Sequence, residues 1–160
     1  MRRSNQKGFS LIELLIVVAI ILIIAAIAIP NLLRSKMAAN EASAVASLRT
    51  YNTAIVAYQT TYATDPATNF TQLGPVSGGG SPSASAADLV DSLLGAATPV
   101  KSGYSFTYTP VAATPVTQYT ILAVPSSTST GQRKFFTDQS GVIRQTTDGT
   151  TPTVASTPIG

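Results

Sequence analysis

The stretch FSLIELLIVVAIILIIAAIAIP, residues Phe9–Pro30, determines how this chain is organised. Residues 14–29 form a run of 16 apolar residues, and the run extends back to Phe9 with only Ser10 and Glu13 interrupting it. A helix of these 21 residues is roughly 32 Å long, about the thickness of the hydrocarbon core of a bilayer. The stretch therefore predicts a membrane-spanning helix near the start of the chain.

Basic residues flank the apolar stretch on both sides. Arg2, Arg3 and Lys7 precede it, and Arg34 and Lys36 follow it. Because cytoplasmic flanks carry the excess of Lys and Arg, this asymmetry predicts a cytoplasmic N-terminus. The remainder of the chain would then lie on the far side of the membrane.

The composition excludes several classes of site. The 160 residues include no His and no Cys, and only 11% of them are charged. The chain therefore cannot form a Ser-His-Asp or Cys-His nucleophile, a His/Cys zinc site, a disulfide, or a thiolate-bound iron–sulfur cluster. We expect neither an enzyme nor a cofactor.

The formal charge of +3 and the pI near 9.4 suggest, at first sight, a nucleic-acid or anionic partner.

Three interpretations compete for the apolar stretch. Ala26-Ile27-Ala28 has the small residues of a secretory cleavage site, which would remove nearly the whole stretch. An uncleaved membrane anchor is the second interpretation. The third rests on residues 1–15, MRRSNQKGFSLIELL, which resemble the leader and mature N-terminus of a type IV prepilin or a type II secretion pseudopilin. A short basic leader, a glycine, an acid in the fifth mature position and a proline closing the apolar run combine in this match, so we favour it.

The resemblance implies roles for four residues. The family's membrane peptidase cuts after the glycine that precedes the apolar run, here at the Gly8–Phe9 bond, and Phe9 becomes the N-methylated terminus. A carboxylate in apolar surroundings needs a partner, and the α-amino group of a neighbouring subunit would supply one for Glu13. Pro30 lacks a backbone N–H and its ring opposes the carbonyl near Ala26. Because helical periodicity resumes at once, we predict a kink at Pro30 rather than the end of the helix.

The helix is expected to continue to Tyr62, because Asn31–Tyr62 contain no Gly or Pro. The sequence NLLRSKMAANEASAVASLRTYNTA also resembles the continuing pilin helix. Apolar residues recur there at spacings of three, four or seven, which places them on one helix face that should pack on a globular head. They are Leu33, Met37, Ala44, Leu48, Tyr51, Ile55, Tyr58 and Tyr62, whereas Arg34, Lys36, Glu41, Arg49 and Gln59 lie mostly off this face.

The tyrosines of this face permit two interpretations. Tyr51, Tyr58 and Tyr62 could form an aromatic track for electron transport. We favour packing against a sheet, in which each ring is buried and its hydroxyl finds a hydrogen-bond partner.

The remainder of the chain predicts a small head with antiparallel strands, and the fold class is therefore α+β, similar to type IV pilins, with three or four strands packed on the long helix. The predicted segments are a leader over residues 1–8, a membrane and assembly helix over 9–30, its amphipathic continuation over 31–62, and a head over 63–146. Within the head we expect a loop over 63–83, a short helix over 84–94 ended by Gly95, and strands near 103–109, 117–124, 133–137 and 142–146. After the head we expect an irregular tail over 147–160.

Three further features have ordinary interpretations that we favour. Asp138, with Ser140 and Gly141, could belong to a calcium loop, but a plain turn fits better because the spacing lacks the usual density of carboxylates. Asp88 and Asp91 could imitate an acid/base pair, but a solvated helix face is the simpler interpretation. The segment 69–71, Asn-Phe-Thr, fits a glycosylation acceptor pattern that is common by chance.

The resemblance implies a structural subunit of a type IV pilus filament, polymerised for surface adhesion or twitching motility. A pseudopilin acting in protein export, and an anchored or secreted binding domain that never polymerises, are the alternatives. The implied partners are further copies of the chain, the prepilin peptidase, an assembly platform protein, its motor ATPase and the membrane. The subunit would first reside in the bacterial inner membrane and then in an extracellular pilus or periplasmic pseudopilus.

Cleavage after Gly8 would also change the net charge of the chain. Three of the ten basic residues lie in the leader, which has no acid, so seven basic and seven acidic residues remain in the mature chain. The basic pI therefore belongs to the leader and indicates membrane orientation, and no nucleic-acid partner is required.

Overall fold

The computed structural model describes residues 8–62, 66–111 and 118–159 of the chain. Residues 1–7 of the predicted leader, and the start of the predicted loop at 63–65, lie outside the described residues. The elements in chain order are α1 (Leu11–Tyr62), short 3-10 helices at Phe70–Gln72 and Ser77–Gly79, β1 (Val100–Lys101), β2 (Tyr104–Pro110), β3 (Tyr119–Pro125), β4 (Lys134–Asp138), β5 (Arg144–Thr146) and β6 (Thr157–Pro158).

The 52-residue helix α1 belongs to two compact units of the chain, Met1–Ser35 and Lys36–Gly160. In the first unit its large apolar side chains are exposed, from Leu11 at 80% to Leu33 at 49%. In the second unit one face of α1 is buried, with Leu48, Tyr51 and Ile55 fully inaccessible. The helix therefore has a core-forming part only from about residue 41 onward.

The sheet is an antiparallel meander with six strands in sequence order, β1-β2-β3-β4-β5-β6. Alternate residues of the two long strands are buried, among them Phe106 on β2 and Ile121 and Ala123 on β3. These side chains join the buried face of α1 in one apolar cluster. The predicted α+β fold class is confirmed, but the strands number six rather than three or four, because the two-residue strands β1 and β6 are too short to show alternation.

The prediction of a short helix over 84–94 is wrong, because this segment forms turns and irregular backbone. The N–H groups of Leu89 and Val90 both donate to Leu73 O, at 2.9 and 3.1 Å, and Asp88 N donates to Gly74 O at 2.9 Å. Asp88 also has a positive φ of 55°. These amides bond to a distant segment of the chain, which overrides the local helical preference.

Tyr51 and Tyr58 confirm the packing interpretation, and Tyr62 is partly buried with its ring centroid 5.0 Å from that of Tyr58. Tyr51 is fully buried and its hydroxyl donates to Leu94 O at 2.8 Å, while the Tyr58 hydroxyl donates to Ala84 O at 2.6 Å. Burial and the nearby carboxylate of Asp91 raise the pKa of Tyr51 well above its ordinary value. Each of these two rings therefore fills the core and also attaches the loop after α1 to the helix.

A partly buried ion pair joins α1 to the turn before β4. The Glu41 carboxylate accepts hydrogen bonds from Gln132 N at 2.9 Å, Arg133 N at 3.2 Å and Arg133 Nε at 2.7 Å. Glu41 is only 8% exposed, although the sequence pattern placed it mostly off the packing face. Beside it, Asn40 Nδ2 donates to Thr130 O at 2.9 Å. Two adjacent helix residues thus hold one loop of the head.

Hydrogen bonds and packing hold the end of the chain, which has no Cys for a disulfide. Asn52 Nδ2 donates to Thr137 Oγ1 and to Gly141 O, each at 3.1 Å, and so joins α1 to the β4–β5 connection. Arg144 Nη1 donates to Ser156 O at 3.1 Å, and Pro152 is fully buried. The segment after Thr146 was expected to be irregular, yet it places a buried proline and adds β6 to the sheet.

Protonation of Glu41 should destabilise the head. Burial tends to raise the pKa of Glu41, but the hydrogen bonds from Gln132 and Arg133 outweigh burial and hold this pKa below its ordinary value. A carboxyl with a depressed folded-state pKa contributes stability above its unfolded-state pKa, and this stability is lost as pH falls through the folded-state pKa. At pH 7, Glu41→Gln should lower the free energy of unfolding by about 2 kcal/mol, and the difference from wild type should narrow in acid. Urea unfolding of the full chain in mild detergent measures this, with the exposed Asp88→Asn variant as a control that should change little. A loss that is independent of pH would contradict the role of the charge.

The contact between two glycines should not tolerate a side chain. A Cβ on Gly95 would lie 2.4 Å from Gly74 Cα, a backbone atom that cannot yield without moving the 72–74 segment. Gly95→Ala should therefore lower the free energy of unfolding by about 2 kcal/mol, as overpacking does in other cores. Gly80→Ala is the matched control, because Gly80 has an ordinary φ of −72° and its nearest neighbour is the end of a valine side chain. Equal stability of the two variants would contradict this account.

Candidate processing and assembly segment

The predicted cleavage bond lies in exposed, non-helical backbone. Gly8, Phe9 and Ser10 precede α1, and all three are exposed, Phe9 at 78%. A Cβ built on Gly8 would meet no atom within 4 Å. Packing within the described chain therefore does not require a glycine at this position, and the predicted processing role of Gly8 stays a prediction.

Glu13 lies in the first turn of α1 and bonds to the residue that precedes the helix. Its Oε2 accepts a hydrogen bond from Ser10 N at 2.9 Å, and Ser10 O accepts from Leu14 N at 3.2 Å, which closes the first turn. A Ser followed three residues later by a Glu that reaches back to its N–H is half of a capping box. The spacing S-x-x-E was visible in the sequence, and this local role of Ser10 was missed there.

The apolar side chains of the stretch are not covered by other described residues of the first unit. Its large apolar side chains between Leu14 and Ile29 are between 46% and 64% exposed. The helix is long and apolar enough to cross a membrane. Since an exposed apolar cylinder of this length is unfavourable in water, the stretch requires lipid or other protein around it.

Pro30 lies inside α1, roughly 25 Å along the helix axis from Glu13. Helical structure continues beyond it, and the predicted kink stays a prediction. Asn31 Nδ2 donates to Ile27 O at 3.1 Å, which gives one carbonyl of the preceding turn a side-chain donor. The predicted processing residues Gly8 and Phe9 and the predicted assembly residue Glu13 thus lie close together in the chain, and Pro30 is remote from them.

The remaining candidate residues have structural partners in the head. Asp91 accepts from Lys101 Nζ at 2.8 Å and from Leu94 N at 2.8 Å, so it forms an ion pair and caps a turn. Asp138 accepts from Ser140 N at 2.9 Å, as expected of a plain turn. Within residues 8–62, 66–111 and 118–159, no three acidic side chains group closely enough to hold a metal ion.

The acceptor-like segment at 69–71 caps a short helix. Asn69 Oδ1 accepts from Gln72 N at 3.1 Å and from Thr71 Oγ1 at 2.6 Å, and the Phe70 ring between them is buried. These contacts provide a complete structural reason for the three residues.

Comparison with known proteins adds independent support for the N-terminal segment. Residues 3–29 match the family described as the prokaryotic N-terminal methylation motif. Over 44 residues the chain is 59% identical to the type IV wide pilus major component PilA4 of Thermus thermophilus. This alignment covers 28% of the chain and 34% of that protein, so the chain spans about a third of the length of the relative it matches. No solved structure matches the chain.

The motif, the similarity to a pilus component and the α+β architecture agree with each other. The motif covers residues 3–8 of the predicted leader, the Gly8–Phe9 bond and almost the whole apolar stretch. The long apolar helix and the antiparallel sheet match the architecture expected of a pilin. The chain is therefore type IV pilin-like and carries the N-terminal methylation motif of a prepilin.

Proposed function

We propose that this chain is the structural subunit of a type IV pilus filament, made as a prepilin and cut between Gly8 and Phe9. The observation that carries the proposal is the methylation motif over residues 3–29, which includes an apolar helical segment with exposed side chains. In the membrane, lipid covers this helix. In a filament, the equivalent helices of other copies cover it, so the same surface serves storage and assembly. The proposed role is structural, not enzymatic.

The cleavage step consumes one water molecule. The Gly8–Phe9 peptide bond breaks, Gly8 keeps a carboxylate on the released leader, and Phe9 gains an α-amino group. A peptidase needs an accessible substrate, and residues 8–10 are exposed and lie outside helix α1. An assembly platform protein and a motor ATPase would then move the mature subunit from the membrane into the filament.

Glu13 is the proposed electrostatic contact between subunits. A carboxylate and an α-ammonium group neutralise each other in apolar surroundings, whereas either one alone is costly there. The pair would also determine the axial register between neighbouring copies, because each chain has one such terminus and one acid in its apolar stretch.

The pilus is favoured over a secretion pseudopilus by the match to a pilus component. Electron microscopy of sheared surface fibres, probed for this polypeptide, tests this choice. Long fibres containing the chain support the pilus. Fibres that lack it, with export of other proteins lost when the chain is deleted, support the pseudopilin.

Processing should depend on the small size of residue 8. Gly8→Val should leave the chain uncut, because a branched side chain beside the scissile bond obstructs the peptidase, while the neighbouring Ser10→Ala variant should be cut normally. Mass spectrometry of the N-terminus should find a methylated Phe9 in the wild type and the intact leader in Gly8→Val. A wild-type chain that begins at Ile29 would instead show secretory cleavage after Ala26-Ile27-Ala28 and contradict the proposal.

Filament assembly should depend on the charge of Glu13. Glu13→Gln should lower the yield of sheared filaments by roughly tenfold or more, because it leaves the partner's ammonium group without a counter-charge. Asp88→Asn removes one carboxylate from an exposed position of the head and is the matched control. Unchanged filament yield in Glu13→Gln, with normal cleavage, would exclude Glu13 as an electrostatic contact.

A further inference from the structure

The turn between β5 and the end of the chain contains the only Asp-Gly pair of the sequence, Asp148-Gly149, and the sequence has no Asn-Gly pair. Both residues are exposed, and a Cβ built on Gly149 would meet no atom within 4 Å. Gly149 has a φ of +80°, which a glycine adopts without strain. Among the described residues, no acceptor takes a hydrogen bond from Gly149 N. The nitrogen that follows the Asp148 carboxyl is therefore both uncrowded and free of a hydrogen bond within the chain.

This arrangement permits a reaction that needs no reactant except water. Gly149 N attacks Cγ of the neutral Asp148 carboxyl, the carboxyl hydroxyl leaves as water with the amide proton, and a five-membered succinimide forms. Water then opens the ring at one of its two carbonyl carbons. Opening at the former Cγ restores Asp148. Opening at the main-chain carbonyl of Asp148 gives isoaspartate, in which the main chain runs through Cβ and Cγ and the α-carboxylate becomes the side group.

We propose that Asp148-Gly149 is a site of spontaneous main-chain isomerisation whose rate is controlled by the side chain of Thr150. Asp148 Oδ1 accepts hydrogen bonds from Thr150 N at 3.0 Å and from Thr150 Oγ1 at 2.6 Å. These bonds direct the carboxylate toward the amide two residues on and away from Gly149 N, the nitrogen that has to attack it.

The same bonds keep the Asp148 carboxylate ionised. The hydroxyl and the amide of Thr150, with a smaller contribution from the charge of Lys134 on β4, hold the pKa of Asp148 below its ordinary value. The neutral carboxyl is the form that reacts, because an ionised carboxylate would have to expel an oxide ion. Thr150 therefore slows the reaction in two ways, and loss of its hydroxyl should accelerate it.

Isomerisation would lengthen the main chain of a turn that holds the end of the chain on the sheet. Thr146 Oγ1 donates to Thr150 O at 2.9 Å, and Lys134 Nζ donates to Gly149 O. An additional main-chain carbon at residue 148 displaces both carbonyl groups from their donors. The segment that follows contains the buried Pro152 and strand β6, so we expect the isomerised chain to lose packing at its end. None of this depends on the proposed filament.

Ageing of the full chain, folded in mild detergent at neutral pH, measures the reaction directly. An isoaspartyl methyltransferase, which methylates isoaspartate and not aspartate, quantifies the product, and fragmentation of the tryptic peptide that follows Arg144 locates it in the chain. We expect isoaspartate at residue 148 in the wild type. It should accumulate about tenfold faster in Thr150→Val, as expected for the loss of a hydrogen bond to a charged group. Thr150→Ser keeps the hydroxyl and should stay near the wild-type rate.

Two further variants are the controls. Thr147→Val makes the same change on the other side of Asp148 and should leave the rate unchanged, while Asp148→Glu should give no product because its longer side chain closes the ring far more slowly. Absence of isoaspartate at residue 148 from both the wild type and Thr150→Val, while it forms in the chain unfolded in urea, would overturn the proposed site. Equal rates in the wild type and in Thr150→Val would reject the control by Thr150. So would an equal acceleration in Thr147→Val, since general loosening of the turn would then explain the effect.

Discussion

The exposed apolar surface of α1 determines the environment in which this chain is stable. Sixteen large apolar side chains between Leu11 and Leu33 are exposed in the first unit. Burying one such side chain contributes about 1.5–3 kcal/mol, so covering half of them involves free energy at least comparable to the 5–15 kcal/mol that stabilises an ordinary domain. The chain therefore cannot remain a free monomer in water. Its apolar helix must always be surrounded by lipid or by protein.

The head is stabilised by different means. Its core combines one face of α1 with the inward residues of β2, β3 and β4, and aromatic rings such as Tyr51 stack on Phe70 with centroids 4.4 Å apart. Polar contacts from α1 then hold the loops: Glu41 binds the turn before β4, and Asn52 binds the β4–β5 connection. Because no disulfide can form, these bonds limit the motion of the last strands.

The two glutamates of α1 differ in whether a local sequence pattern can predict their partners. Glu13 is conspicuous in the sequence because it is an acid within an apolar run. Its partner Ser10 lies three residues away, within the range of a local capping motif. Glu41 was placed outside the packing face because helical periodicity alone cannot find a partner 92 residues later in the chain. The turns at 84–94 escaped prediction for the same reason, since their amides bond to residues 72–74.

The amino-acid sequence by itself determined the long helix, the alternating strands and the α+β class, because each depends on interactions between residues close together in the chain. The predicted processing residues Gly8 and Phe9 and the predicted assembly residue Glu13 likewise come from one short motif. Only the tertiary structure decided the six-strand order, the burial of Glu41 against Arg133, the close approach of Gly74 and Gly95, and the ordered end of the chain. Those features join residues that are distant in sequence, and no local periodicity encodes which of them meet.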